Sequence, residues 1–273
     1  MMLRGASADS LAALTGELDG VTADPAAARS AGTDLFAVAR VLRSEPGLRR
    51  VLTDVAISAD AKAGLVRQIL GGRVSDPVVG LTASAAGRRW TAARDLADTL
   101  EHLGVVAVVT SATGDEGGGA ERLSDELFAV ARLVGQNPGL RDALSDPGRS
   151  VADKRGLADG LLGDRVLPAT LSLVSQALEG THRTLGVALE EYQKVAAQVH
   201  GQGVATVRVA HPLDASDQER LAQSLSRQYG RPVHLNVVVD PAVIGGIRVE
   251  IGDDVIDGTV SSRLDDARRR LAG

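Results

Sequence analysis

The sequence repeats itself. Leu35-Phe36-Ala37-Val38-Ala39-Arg40 returns as Leu127-Phe128-Ala129-Val130-Ala131-Arg132, 92 positions further on. The register holds without a gap for about forty positions, roughly half of them identical, well beyond a chance match. Pro46-Gly47-Leu48-Arg49 matches Pro138-Gly139-Leu140-Arg141, and Asp54 matches Asp146. Ser58 and Lys62 match Ser150 and Lys154, Gly64-Leu65 matches Gly156-Leu157, and Arg73-Val74 matches Arg165-Val166. A unit of about ninety residues is a duplicated domain, not a short solenoid repeat. The full length of 273 residues leaves room for a further small domain.

Each copy reads as helical. Ala31, Leu35, Ala39 and Leu42 share one helical face, and Leu123, Leu127, Ala131 and Val134 share its counterpart. Pro46 and Pro138 stop those helices, because proline lacks a donor and restricts its predecessor. Ser58 and Ser150 stand where N-caps are wanted, and Gly71 and Gly163 where left-handed C-caps are. Further helices are expected over 77–86, 91–103, 169–178 and 185–200. Val105 to Thr110 is β-branched but set among helices, and the setting favours helix. Gly114 to Gly119 reads as a flexible acidic seam.

The period changes after Gly201. Ala205, Val207 and Val209 alternate with polar residues, as do Val233, Leu235 and Val237, and then Ile247, Val249 and Ile251. Ser216 and Glu219 suggest a capping box for a helix carrying Leu221 and Leu225. Gly252-Asp253-Asp254 reads as a turn before Val255-Ile256, and Val260, Leu264, Ala267 and Leu271 define a last helix. The expected fold is mainly α with a small α+β C-terminal domain. Two tandem helical bundles, 1–104 and 105–200, precede a βαββ(β)α domain, 201–273.

The composition removes several chemistries. Cysteine is absent, which excludes disulfides, thiolate metal sites and cysteine nucleophiles. Aromatic residues make up 2% and the net charge is −5, so neither stacking nor phosphate attraction favours nucleic acid. No apolar run approaches the roughly 18 residues of a membrane span, and Met1 to Ser10 lacks the apolar centre of a signal peptide. His102, His182, His200, His211 and His234 show no ligand spacing. Gly114 to Gly119 lacks the ending of a phosphate loop, and Gly245-Gly246 lacks the third glycine of a dinucleotide fingerprint. Asp253, Asp254 and Asp257 suit a turn better than a metal. The arginines at 263 and 268–270 suit a helix C-terminus, and Trp90 a packing site. No catalytic constellation, cofactor site or metal site is expected.

The stretch from Val233 to Gly252 and beyond resembles the signature of the delta subunits of F-type ATP synthases, the family of the mitochondrial oligomycin-sensitivity-conferring protein. The residues that carry the resemblance are Asp240-Pro241, Ile244-Gly245-Gly246-Ile247-Arg248-Val249, Ile251-Gly252-Asp253, Val255-Ile256-Asp257-Gly258-Thr259-Val260 and Arg263-Leu264. Residues 205–225, the turn at 137–141 and the helix at 150–162 extend it. Two helical copies where most delta subunits have one resemble the extended actinobacterial type. The usual Tyr-Ala-x-Ala-Leu opening is missing.

The resemblance implies a non-catalytic stator, or peripheral stalk, subunit on the cytoplasmic face of the cell membrane. Its helical domain would hold N-terminal helices of the alpha subunits, and its C-terminal domain the C-terminal region of the b subunit. No nucleic acid, membrane insertion or cofactor is implied. The contact candidates are Asp240, Gly245, Gly246, Val255, Ile256, Asp257, Gly258 and Arg263; the alternative reading of the same residues is that they hold the fold together. Two other readings stand beside it: an enzyme built on the acidic turn, and a free-standing helical adaptor. Exposed aspartates would dispose of the first.

Overall fold

The computed structural model describes residues 3–114, 118–179, 181–252, 254–260, 262 and 269. They fall into two compact units, Met1–Val195 and Ala196–Gly273. The first is helical. Its helices are α1 (Ala6–Leu18), α2 (Pro25–Ser44), α3 (Pro46–Thr53), α4 (Ala59–Leu70), α5 (Asp76–Gly87), α6 (Ala93–Ser111), α7 (Gly119–Gln136), α8 (Pro138–Ser145), α9 (Val151–Leu162), α10 (Pro168–Ala177) and α11 (Leu185–Val199), the last crossing the division.

The helix boundaries repeat with the sequence. α3 and α8 begin 92 positions apart and have equal length; so do α4 and α9. Pro46 and Pro138 each open the following helix, at the position where a missing donor costs nothing. The Ser58 and Ser150 hydroxyls accept from the Ala61 and Asp153 amides at 3.3 and 3.1 Å. At the other ends the expectation fails in detail. Gly71 has φ −55°, and it is Gly72 that takes a positive φ of 71°. Gly163 has φ 32°, short of a left-handed cap. A few neighbouring residues decide where the chain turns over, and the glycine pair leaves that choice open.

Val105 to Thr110 is helix, the continuation of α6. Val105, Ala107, Val108 and Val109 are all buried, so this half-helix is apolar on almost every side. Burial of that kind overrides the modest strand preference of valine. Position 104 therefore lies inside a helix.

α6 serves both copies. Shifting α1 by the repeat length lands on residues 98–110, the C-terminal half of α6. α1 packs on α5; α6 packs on α10, the counterpart of α5. The contact is cemented in that half of α6, at Glu101. Its carboxylate is 6% exposed, a location that costs several kcal/mol unless the charge is fully bonded. Arg43 of α2 donates to Oε2 at 2.5 Å, and Gln176 of α10 and Thr181 donate to Oε1 at 2.7 and 2.8 Å. Arg43 also donates to Asp98 at 2.8 Å. Glu179 likewise accepts from Arg155 and stands 3.4 Å from Arg40 of α2.

α2 and α6 cross at two glycines. A methyl group on Gly32 would lie 2.5 Å from Val108 Cγ2 and 3.1 Å from the Gly104 carbonyl oxygen; one on Gly104 would lie 2.7 Å from the Phe36 ring. Trp90 is half-buried against the same core, its Nε1 donating to the Ala85 carbonyl at 3.0 Å, a packing role as expected.

The second unit is α/β. β1 (Gly203–Val209) runs through α12 (Ala215–Tyr229) to β2 (Val233–Val239), parallel to β1. β3 (Ile247–Ile251) lies antiparallel on the other side of β1, and β4 (Asp254–Asp257) pairs with β3, giving the order β2-β1-β3-β4. Ala205, Val207, Val249 and Ile251 are buried with Leu225 of α12. The N-cap of α12 is Asp214, whose carboxylate accepts from the Asp217 amide at 2.7 Å; this corrects the expected box at Ser216, whose hydroxyl donates to Asp214 instead. Leu264, Ala267 and Leu271 of the expected last helix lie outside the described residues, as do Asp253 and 115–117 of the acidic seam.

Two outcomes test this packing. Gly32→Ala should lower stability by about 1–3 kcal/mol, since the new methyl meets backbone as well as a side chain; a thermal melt of the full chain reads it. Acid should also weaken the first unit. Burial holds the His102 imidazole below its ordinary 6.5, against the opposing pull of Glu101 and Glu191. The unfolded chain therefore takes up that proton first as pH falls. This contribution to stability is complete above about pH 6.5 and shrinks below it. Arg43, Asp98, His182 and Tyr192 line the same cleft as His102. His102→Gln should flatten the fall of stability as pH drops below about 6.5, read by urea unfolding.

Candidate functional site

The residues expected to carry function gather on one loop and hairpin of the second unit. β2 ends at Val239, and the Asp240 amide donates to the Val209 carbonyl at 2.9 Å, closing β2 against the end of β1. The Asp240 carboxylate accepts from the Ala242 amide at 2.9 Å, an Asx turn that sends the chain back. Its other oxygen stands 3.9 Å from Arg208 Nη1.

The glycines follow. Gly246 has φ 84°, where only glycine is unstrained. A Cβ there would fall 2.4 Å from the Gly258 carbonyl oxygen. Two hydrogen bonds staple the segments: Gly258 N to Ile247 O and Val260 N to Gly245 O, both 2.9 Å. So Gly245-Gly246 and Gly258 let two backbones touch where β3 begins and β4 ends. Asp257 completes the closure. Its Oδ1 accepts from the Thr259 amide at 3.0 Å and hydroxyl at 2.7 Å, and these bonds hold its carboxyl below the usual range. Thr259 is buried.

The motif thus divides. Asp240, Gly245, Gly246, Asp257 and Gly258 shape the backbone. Val255 and Ile256 of β4 do not: they are 54% and 38% exposed. Ile244 precedes the glycine pair and Val260 bonds to Gly245; they are 79% and 42% exposed, and Val239 is 40% exposed. The sequence reading quoted Ile244 and Val260 within the motif but did not single them out. Their signal was available, as large aliphatic residues held in a glycine- and proline-rich loop. Arg263 lies outside the described residues.

The described aspartates of the acidic turn, Asp254 and Asp257, lie open to solvent. All four residues of β4 are exposed, Asp254 and Asp257 included, and Asp254 accepts from the Tyr229 hydroxyl at 3.2 Å. Among the described residues no group of three or more His, Asp or Glu could hold a metal ion. No described helix is long and apolar enough to cross a membrane. What the arrangement presents is an aliphatic edge on a rigid, glycine-closed hairpin, suited to contact.

Gly246→Ala should disrupt that closure, since the added carbon strains φ and meets a carbonyl oxygen at once. The expected loss is about 1–3 kcal/mol or more. Hydrogen exchange of the β3 and β4 amides should accelerate while α2 and α6 stay protected.

A family model described as the ATP synthase delta (OSCP) subunit matches residues 106–271. Relatives match over nearly the whole chain. The ATP synthase subunit delta of Nocardioides sp. (strain ATCC BAA-499 / JS614) is 58% identical, over 99% of this chain and 98% of its own. That of Kineococcus radiotolerans is 46% identical over 98% of each, and that of Streptomyces coelicolor 42% identical over 99% of this chain and 98% of its own. The matches run over nearly the full length of both chains, and the chain belongs to the ATP synthase delta (OSCP) subunit family.

Proposed function

We propose that this chain joins the catalytic head of the ATP synthase to the membrane sector, gripping N-terminal helices of the alpha subunits with its helical unit and the C-terminal region of the b subunit with its C-terminal unit. The chain is a structural, non-catalytic stator subunit of the synthase. It would work at the cytoplasmic face of the membrane, attached through its partners. A stator resists torque, so it needs broad contacts that do not creep, and not a reactive group.

The observation that carries the C-terminal half of this reading is the exposed set Ile244, Val255, Ile256 and Val260 on a hairpin whose backbone is fixed by Gly246 and Asp257. Aliphatic side chains held that way suit the apolar face of an amphipathic helix. Low aromatic content makes such an interface depend on area and fit instead of aromatic anchors. The three regions we assign, 1–104, 105–200 and 201–273, would divide the contacts, with the extra helical copy holding more of b or reaching farther down the stalk. Because position 104 lies inside α6, a deletion ending there would remove half a helix along with the copy.

The test is a native pull-down of the full chain, tagged at its C-terminus, from gently solubilised membranes. Alpha, beta and b should be recovered together. The double variant Val255→Glu/Ile256→Glu should lose b by about tenfold or more while keeping alpha. Recovery of neither alpha nor b by a folded bait would favour the free-standing adaptor. Full retention of b by the double variant would move the b contact off the hairpin.

A further inference from the structure

An aspartate followed by glycine carries a latent chemistry of its own. The amide nitrogen after the aspartate can close on the side-chain carboxyl, and glycine, with no Cβ, obstructs that approach least. The sequence holds three such pairs: Asp19-Gly20, Asp159-Gly160 and Asp257-Gly258. The residue types are the same, and the folded backbone makes them unequal.

Two of the pairs are blocked. Gly160 lies inside α9, so its amide belongs to the helix ladder. Gly258 donates its amide to the Ile247 carbonyl at 2.9 Å. The Asp257 carboxylate is held by the Thr259 amide and hydroxyl, at 3.0 and 2.7 Å. Ring closure at either pair waits until the helix or the hairpin opens.

The third pair is open. α1 ends at Leu18, and Asp19 and Gly20 follow in an exposed turn. The Leu18 carbonyl accepts from the Val21 and Thr22 amides at 2.8 and 3.0 Å, and from the Thr22 hydroxyl at 3.1 Å. Those bonds bypass Gly20, whose amide has no acceptor among the described residues. The Asp19 carboxylate has neither a hydrogen bond nor an ion pair among them.

We infer that Asp19 is a site of spontaneous isoaspartate formation, selected from the three pairs by the fold. The Gly20 amide nitrogen attacks Cγ of the protonated Asp19 carboxyl. A C–N bond forms, and the carboxyl hydroxyl leaves with the amide proton as water, giving a succinimide ring. Water then adds to one of the two ring carbonyls. Addition at Cγ breaks the new bond and restores aspartate. Addition at the main-chain carbonyl breaks the original peptide bond, so the chain runs through Cγ and a free α-carboxylate remains. Only water leaves and enters, and the product has the mass of the starting chain. The main chain gains one methylene just after Leu18, which is buried, and the turn bonds to the Leu18 carbonyl loosen.

The full chain would be incubated near pH 6 in heavy-oxygen water and mapped by peptide mass, with an isoaspartate-specific methyltransferase as a second readout. Each ring opening adds one heavy oxygen. Label and methyl acceptance should build up at Asp19 about tenfold or more faster than at Asp159 or Asp257. In urea, where the fold is gone, the three pairs should react alike. A Cβ on Gly20 would meet only the Glu17 carbonyl oxygen, at 3.6 Å, so Gly20→Ala should keep the melting temperature. It should slow labelling at Asp19 about tenfold. Labelling of Asp159 or Asp257 in the folded chain as fast as Asp19 overturns the inference. So does an Asp19 that stays unlabelled in the folded chain while the urea-unfolded chain is labelled there, or undiminished labelling in folded Gly20→Ala.

Discussion

Both helical copies need the same helix. The N-terminal half of α6 ends one bundle, its C-terminal half begins the next, and the chain does not break between them. Such a helix is apolar nearly all round at its far end and must be enclosed from several sides. α2 meets it through glycines at 32 and 104, α5 and α10 flank it, and Glu101 anchors it at the point where the two copies meet. A buried carboxylate with three donors is costly to disturb, because losing one leaves charge stranded in a low dielectric. The donors come from α2, from α10 and from Thr181, so the anchor ties one copy to the other.

This matters for a subunit that resists torque. Two bundles strung on a flexible linker would bend at the linker. Two bundles sharing a helix have no free linker to bend within the first unit. The same logic appears at smaller scale in the second unit. There a glycine staple and an aspartate turn close off a four-residue edge strand that is paired along its length with β3. In both places backbone atoms are brought close by the absence of side chains, and stiffness follows from contact between main chains.

The candidate site was half legible. The Asp240 to Val260 motif stood out in the sequence as a string of glycines and aliphatics with fixed spacing, and its location on β3, β4 and their flanks matched. What could not be read was which of those residues serve the fold and which face outward. Gly246 and Val255 look equally motif-like in a sequence. One sits with its α-carbon against a carbonyl oxygen, while the other has half of its surface in water. That difference depends on sheet order, and β4 is an edge strand only because β3 pairs with β1 on its other side. The cleft around Tyr192 was not legible at all. His102, Glu101 and Tyr192 are scattered among apolar residues, and nothing in their spacing joins 43 to 98 to 192.

The sequence alone determined the duplication, the helical nature of both copies, the period-two strands after Gly201 and the proline and serine boundaries, because each follows from local rules of backbone donors and side-chain periodicity. It also carried the family, through one long motif. Only the tertiary structure decided that Val105 to Thr110 continues a helix, that this helix serves both copies, and that Asp214 takes the cap expected of Ser216. The reason is common to all three. Local preferences there differ by about 1 kcal/mol or less, and burial of a valine-rich segment or one more hydrogen bond outweighs them.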